Sequence, residues 1–127
     1  MKQNVPVSTI MTKNVVKLNL SDDLTKAEAL FKKHQIRHIP VVYSNNIVGM
    51  LSYSDLLRIS FVDAIDDDEE VIDATVYNMF TLEQVMVKKL VVITPETTIK
   101  DAAEILASKE FHALPVCEVD LLVGILT

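Results

Sequence analysis

The sequence predicts an α/β (α+β) fold of two β-α-β-β-α repeats that pack with pseudo-twofold symmetry, the second repeat lacking its last helix. The first observation behind this prediction is a repeat, because the segments RHIPVV and HALPVC align and Pro115 follows Pro40 by 75 positions. The second is a hydrophobic period that alternates between helical and strand spacing within each copy. A unit that occurs twice usually buries one apolar face against its copy. The same offset relates Met11 to Met86, Lys13 to Lys88, Val16 to Val91, Ala27 to Ala102, Val48 to Val123, Gly49 to Gly124 and Leu51 to Leu126.

Each repeat is expected to open with a strand, at residues 14–18 and 89–94, followed by a helix. In the first repeat, Leu24, Ala27 and Phe31 have the spacing of a helix with one buried face. Ser21 and Asp22 have the chemistry of its N-terminal turn. Helical spacing returns after Pro95 and Thr97, which are suited to the same role in the second repeat, at Ile99, Ala102, Ala103 and Leu106.

A β-hairpin is expected to follow each helix. In the first repeat the strands are residues 39–43 and 47–51, joined by the turn Ser44-Asn45-Asn46, and in the second they are residues 114–119 and 121–126 around Asp120. The first repeat then continues from Ser52 into a helix. Thr127 is the equivalent of Ser52, so the closing helix of the second repeat is absent from the sequence, which we interpret as a fragment.

Charge and composition argue against several classes of function. The net charge is −6, but seven acidic residues between Asp63 and Asp73 account for it. We interpret them as a solvated connector, since they lack the alternation and the glycine of a calcium loop. Twelve Lys and Arg residues and no Trp disfavour nucleic-acid binding. No apolar run approaches the roughly 18 residues that span a bilayer, so no membrane partner and a cytoplasmic location are expected.

Catalysis and metal binding have little support in the sequence. Gly49 and Gly124 are the only glycines, so the chain has no Gly-rich phosphate loop, and Asp55 has no second carboxylate for paired acid and base chemistry. Cys117 lies in an apolar run typical of a buried, inert thiol. The three histidines do not have metal-ligand spacing. The chain is therefore expected not to be an enzyme, to hold no metal and to require no cofactor.

The ordered set of motifs resembles the CBS domain, a family named after cystathionine β-synthase. The set comprises Ile10-Met11-Thr12 before the opening strand, an Ala-bearing helix, the run Ile39-Pro40-Val41-Val42, a turn, and Gly49 before Ser52 and Asp55. Its occurrence at residues 7–57 and 81–127 resembles a tandem CBS pair, or Bateman module. The resemblance implies a regulatory module that binds AMP, ADP, ATP or S-adenosylmethionine in clefts between paired repeats and transmits occupancy to an effector protein. We place the first repeat at residues 1–58, a partly helical acidic connector at 59–80 and the incomplete second repeat at 81–127.

A ligand-binding site is expected around seven residues of the first repeat. An adenosine ligand needs an apolar slot, an acceptor for the ribose hydroxyls and donors for phosphate. The slot is assigned to Ile39, Pro40 and Val41, the ribose to Asp55, and phosphate to Ser52 with the helix amides. The resemblance adds Arg37 and His38 as phosphate contacts. We expect one competent cleft, since residues 10–57 carry a charge of +2 and residues 85–127 a charge of −2. The resemblance to a tandem CBS pair implies that Val87 to Val92 complete this cleft.

Each assignment has a structural alternative. Ser52 and Asp55 have the spacing of a helix cap that binds nothing. Pro40 marks the start of an edge strand equally well, and Arg37 with His38 fits a solvated link between helix and strand. The rival function is accordingly a ligand-free dimerisation or protein-interaction module with degenerate clefts. Either function is compatible with a homodimer.

Overall fold

The computed structural model describes residues 4–63, 79–108 and 112–127, and these belong to two compact units. The first-repeat unit lies within Val16–Tyr43 and Val48–Lys88, and the second-repeat unit lies within Met1–Val15, Ser44–Ile47 and Lys89–Thr127. The units therefore exchange their leading segments: residues 7–12 belong with the second repeat, and residues 82–87 belong with the first. The acidic residues Asp66 to Asp73, and with them most of the predicted connector, lie outside the described residues.

The first-repeat unit contains the predicted order of strand, helix, hairpin and helix. Leu18 and Val41 are partners where β1 pairs in parallel with β2, and β3 is the other hydrogen-bonded neighbour of β2. The helix that follows β3 confirms the expected continuation beyond Ser52. The elements are β1 (Leu18–Asn19), α1 (Leu24–His34), β2 (His38–Tyr43), β3 (Asn46–Ser52, of which residues 48–52 belong to this unit), α2 (Tyr53–Asp63) and α3 (Leu82–Val85).

The core of the first-repeat unit forms where α1 packs on the strands. Leu24, Ala27 and Phe31 are buried on α1, as their spacing predicts. The Phe31 ring packs against Tyr53 at the start of α2, with the ring centroids 5.0 Å apart. The buried members of the cluster are Leu18, Leu24, Ala27, Phe31, Ile39, Val41, Leu51, Leu56, Leu82 and Met86.

The second-repeat unit is built around α4 and a second hairpin. Leu114 pairs with Leu126 and Pro115 with Ile125 across β4 and β5, with an irregularity after Val116. The first residue of β3, Asn46, pairs antiparallel with Leu121. The elements are a 3-10 turn (Val7–Thr9), α4 (Ile99–Leu106), β4 (Leu114–Glu118) and β5 (Leu121–Leu126). The buried core residues are Val7, Ile93, Ala102, Leu114, Val116 and Leu126.

The residues predicted for the helix starts lie one to three residues before the observed caps. Asp23, and not Ser21 or Asp22, caps α1, because its extended backbone lets the carboxylate accept from Lys26 N. Asp22 instead accepts from Asn19 N at 2.8 Å. In the second repeat Thr98 is the cap and accepts from Asp101 N. Thr97 accepts from Thr94 N, in the turn before the helix.

Both hairpins turn through two residues, so the predicted turn limits are corrected. Ser44 and Asn45 have φ of 51° and 69°, and the equivalent Val119 and Asp120 have 48° and 70°. Two successive positive φ angles give the turn that matches the twist of paired strands. Asn46 consequently belongs to β3, and Val119 to the turn. A β-branched residue is strained in this conformation, and Val119 is 93% exposed.

The predicted opening strands are mostly absent. Of residues 14–18 only Leu18 enters a strand, and of residues 89–94 only Ile93 forms a bridge, parallel to Val116. Val16 and Val91 are instead partly buried against the two core clusters. The apolar character of Val16 and Val91 therefore reflects packing against the cores and not strand pairing within a β-sheet.

A methionine of each leading segment packs on a buried glycine of a hairpin. A Cβ at Gly49 would collide with Met86 Sδ and lie 2.9 Å from Met86 Cγ, and a Cβ at Gly124 would lie 2.6 Å from Met11 Sδ. The neighbouring backbone is bridged in both places. Met50 and Val87 exchange two hydrogen bonds of 2.9 Å, as their equivalents Ile125 and Thr12 do at 2.9 and 3.0 Å. Glycine is thus required where the leading segment approaches.

We predict that Gly49→Ala lowers the free energy of unfolding by about 1–3 kcal/mol, since overpacking a buried contact costs this much. Urea denaturation of Gly49→Ala, Met86→Ala and the double variant measures the coupling. The double variant should lose less than the sum of the single changes, because Met86→Ala vacates the space that the new methyl group needs. Met11→Ala should rescue Gly124→Ala less well, because Thr12 O lies only 3.1 Å from that Cβ position. Wild-type stability in Gly49→Ala would contradict the packing requirement.

Candidate functional site

The start of α2 is held by two hydrogen bonds to residues that precede it. Ser52 Oγ accepts from Asp55 N at 3.0 Å, and the Arg37 carbonyl accepts from Tyr53 N at 2.8 Å. Both donors are backbone groups that a helix leaves without partners in its first turn. The capping role of Ser52 is therefore present in the structure, and Arg37 is anchored beside the same turn.

Asp55 is the half-buried carboxylate of this turn. Its side chain is 22% exposed, and Oδ1 lies 3.1 Å from Nη1 of Arg58, whose side chain is 74% exposed. An ion pair with one partner so exposed contributes about 0–1 kcal/mol. The Asp55 backbone is thus held in the first turn of α2, while the guanidinium that pairs with the carboxylate is weakly held.

Asp55 and Arg58 line a groove of about 570 Å³ that we name the α2–α3 groove. Its volume falls within the range of small-molecule sites, about 300–1,000 Å³. Apolar side chains provide most of the wall, and the polar groups of the described lining residues are one carboxylate, one guanidinium and one amide. The lining residues are Asp55, Arg58, Ile59, Phe80, Gln84, Val85 and Val87.

The second leading segment places one wall of this groove. Thr81 and Gln84 form a reciprocal capping box that begins α3. Leu82 and Met86, four residues apart, are buried in the core cluster. Val87 is tied to Met50 of β3 by the bridge described above. With these residues fixed, the intervening side chains of Gln84 and Val85 line the groove.

The structure brings Arg37, Ser52 and Asp55 together around the start of α2. Of the seven residues predicted for the site, Asp55 lines the groove. The Arg37 side chain is exposed and His38 is half-buried. That these residues contact a ligand stays a prediction.

The described lining of the α2–α3 groove does not include the residues assigned to the apolar slot, and their contact with a ligand stays a prediction. Ile39 and Val41 are fully buried in the core cluster. Pro40 is also buried, and strand alternation puts it on the opposite face of β2. The groove uses Ile59, Phe80, Val85 and Val87 instead.

Sequence reasoning anticipated Val87 but missed the rest of this wall and Arg58. The 75-residue offset relates Met86 to Met11 and Gly49 to Gly124, but it does not indicate that Met86 packs on Gly49 and brings the second leading segment to the first repeat. Arg58, three residues after Asp55 on a helix, was within reach of the carboxylate by spacing alone. Phe80 directly precedes the Thr81 cap, and no comparable sequence pattern predicted that it lines the groove.

Other chemistry-bearing groups lie away from the groove. Burial raises the pKa of the Cys117 thiol, and the nearby Asp120 carboxylate raises it further, so the unreactive thiol form is favoured. The described parts of the chain hold no group of three or more His, Cys, Asp or Glu arranged for a metal ion. None of their helices has both the length and the apolarity to cross a bilayer.

The CBS domain family model matches residues 7–61 and 82–127. The chain therefore belongs to the CBS domain family and carries the domain twice, which confirms the resemblance and the fold class predicted from the sequence. The matches begin at residues 7 and 82, which start the two leading segments and are related by the 75-residue offset.

Two curated relatives differ in how much of their length this chain covers. The CBS domain-containing protein YhcV of Bacillus subtilis is 27% identical over 119 residues, which are 94% of this chain and 77% of that protein. A homoserine O-acetyltransferase of Methanohalobium evestigatum is 29% identical over 115 residues, 90% of this chain. This chain spans only 20% of the acetyltransferase.

Solved structures share the fold over nearly the whole chain. The CBS domain of a membrane protein from Sphaerobacter thermophilus is 28% identical with a TM-score of 0.83, covering 98% of this chain and 84% of that one. CBSX2, crystallised with AMP, is 23% identical with a TM-score of 0.78, covering 97% and 90%. The CBS pair of MJ0100, crystallised with 5′-methylthioadenosine and S-adenosylmethionine, is 20% identical with a TM-score of 0.76, covering 97% and 89%.

We predict that Ser52→Ala lowers the free energy of unfolding by about 1 kcal/mol, because Asp55 N loses its partner in the first turn of α2. Thermal denaturation compares it with Ser54→Ala, an exposed position of the same turn. Equal midpoints for the two variants would show that the cap does not stabilise α2.

Proposed function

We propose that this CBS pair is a regulatory module that binds an adenosine-containing ligand in the α2–α3 groove. The candidate ligands are AMP, ADP, ATP and S-adenosylmethionine. The observation that carries the proposal is the Asp55 carboxylate, which is half-buried and lines a groove whose walls are otherwise mostly apolar. That combination suits a nucleoside, which has a flat base and a vicinal diol.

Asp55 is assigned to the ribose. A carboxylate accepts two hydrogen bonds from a vicinal diol, and the capped first turn of α2 holds the Asp55 backbone in place. Ser52 caps this turn, so its contribution is to position Asp55, and its hydroxyl proton is available to donate.

The base is assigned to the apolar part of the groove. Ile59, Phe80, Val85 and Val87 supply apolar contact, and burying a ring against such side chains is favourable. The Gln84 side-chain NH2 offers a donor to the edge of the base, while its Oε1 accepts from Thr81 N in the capping box. Arg37 and His38, with the first amides of α2, are assigned to phosphate.

The ligands crystallised with two structural relatives support the assignment of an adenosine ligand. CBSX2 was crystallised with AMP, and MJ0100 with 5′-methylthioadenosine and S-adenosylmethionine. The three compounds share adenosine and differ at the 5′ position. Adenosine recognition is thus the chemistry that these relatives have in common, and the α2–α3 groove supplies groups for it.

We propose that the module acts without catalysis and reports ligand binding to an effector protein. Asp55 is the single carboxylate among the described residues that line the groove, and acid and base catalysis on a bound ligand commonly needs two such groups.

We further propose a homodimer that acts in the cytoplasm, where adenine nucleotides are abundant. Leu57 on α2 is 46% exposed and is available to a second copy.

The rival function is a protein-interaction module that binds no small ligand. Its support is the ion pair with Arg58, which already occupies Oδ1 of Asp55. Exposed apolar side chains at Leu57, Met79 and Phe80 also favour a protein partner. Ligand titration separates the two functions.

We predict that AMP, ATP or S-adenosylmethionine binds the wild-type protein and that Asp55→Ala and Asp55→Asn each weaken binding by at least about tenfold, since a charged acceptor of ribose hydroxyls is lost. Isothermal titration calorimetry measures the change. Asp101→Ala is the matched control, because Asp101 N also donates to a capping hydroxyl in the first turn of its helix.

Circular dichroism of each variant establishes that it is folded. Unchanged affinity in a folded Asp55→Ala variant would contradict the assigned site. No binding of any of the three ligands to the folded wild-type protein would favour the interaction module.

A further inference from the structure

Arg58 and Asp55 form the one pair of opposite charges among the described lining residues of the α2–α3 groove. The guanidinium approaches Oδ1 at 3.1 Å, and its side chain is 74% exposed. A ribose diol that takes both carboxylate oxygens therefore competes with Arg58 for one of them. The competing bond is weak, since an exposed i,i+3 pair contributes little.

A ligand that displaces Arg58 leaves a guanidinium at the rim of a mostly apolar groove. If the ligand carries a phosphate, the displaced guanidinium gains a new anionic partner, and Arg binds phosphate in a two-pronged geometry. If the ligand is uncharged or cationic at the same position, Arg58 loses its partner and gains none. The exposed side chain is free to make this exchange without moving α2.

We propose that Arg58 is a specificity-determining residue that selects adenosine ligands with an anionic 5′ group over those with a neutral or cationic one. In the unliganded protein Arg58 pairs with Asp55, and in the complex it joins Arg37, His38 and the first amides of α2 as a partner of the ligand's phosphate. The inference rests on the proposed function, since it takes Asp55 as the ribose acceptor.

The test compares AMP with 5′-methylthioadenosine, which keep the same base and diol and differ in the 5′ substituent. Calorimetry with both ligands is performed on the wild type, Arg58→Met and Arg58→Lys. Lys32→Met is the matched control, because Lys32 also pairs with a carboxylate one turn away, with exposures of 63% and 24% against 74% and 22% for Arg58 and Asp55.

The wild type should prefer AMP, and Arg58→Met should reduce that preference about tenfold, the effect of losing a charge-assisted hydrogen bond. Binding of 5′-methylthioadenosine should be unchanged or tighter in Arg58→Met, because Asp55 is released from its competing partner. Arg58→Lys should retain part of the preference, and Lys32→Met all of it. Added salt should weaken AMP binding more than 5′-methylthioadenosine binding.

Two results would overturn the inference while leaving the proposed function intact. One is an equal loss of both ligands, or no loss, in Arg58→Met. The other is a wild-type protein that binds 5′-methylthioadenosine as tightly as AMP or more tightly. Failure of both ligands to bind the folded wild-type protein would overturn the proposed function, and the role of Arg58 with it.

Discussion

Close packing of a methionine on a glycine is the contact on which the rest of the first-repeat unit depends. Met86 approaches Gly49 so closely that no side chain fits between them, and the next residue, Val87, is bridged to Met50. The leading segment of the first repeat belongs to the other unit. Each unit therefore contains pieces of both repeats.

The same contact builds the α2–α3 groove. Burial of Leu82 and Met86 in the core cluster fixes α3 beside α2, and the side chains between and after them supply a wall that the first repeat alone lacks. Opposite that wall, Ser52 and the Arg37 carbonyl hold the first turn of α2 and with it the Asp55 carboxylate. Fold stability and the proposed ligand chemistry thus depend on one short segment, and the capping role of Ser52 is compatible with the binding role proposed for Asp55.

Periodicity and repeat offset predicted the helices and hairpins well, because both patterns reflect burial directly. These predictions were wrong where the local backbone conformation determines which of several adjacent residues takes a role. Asp23 caps α1 in place of Ser21 or Asp22, and Val119 enters a turn that its side chain disfavours. The described lining of the groove was predicted only in part. Motif position indicated Asp55, but the alternation of β2 turns Ile39 and Val41 into the core, and the wall from residues 80–87 comes from packing between segments far apart in sequence.

The most direct test of the central claim, that an adenosine ligand occupies the α2–α3 groove against Asp55, is an amide chemical-shift titration of the isotopically labelled protein with AMP. The largest shifts should be at Asp55, Gln84, Val85 and Val87, with little change at Thr98 and Asp101, which cap a helix of the other unit. Saturable shifts centred elsewhere, or none at millimolar AMP, would contradict the claim.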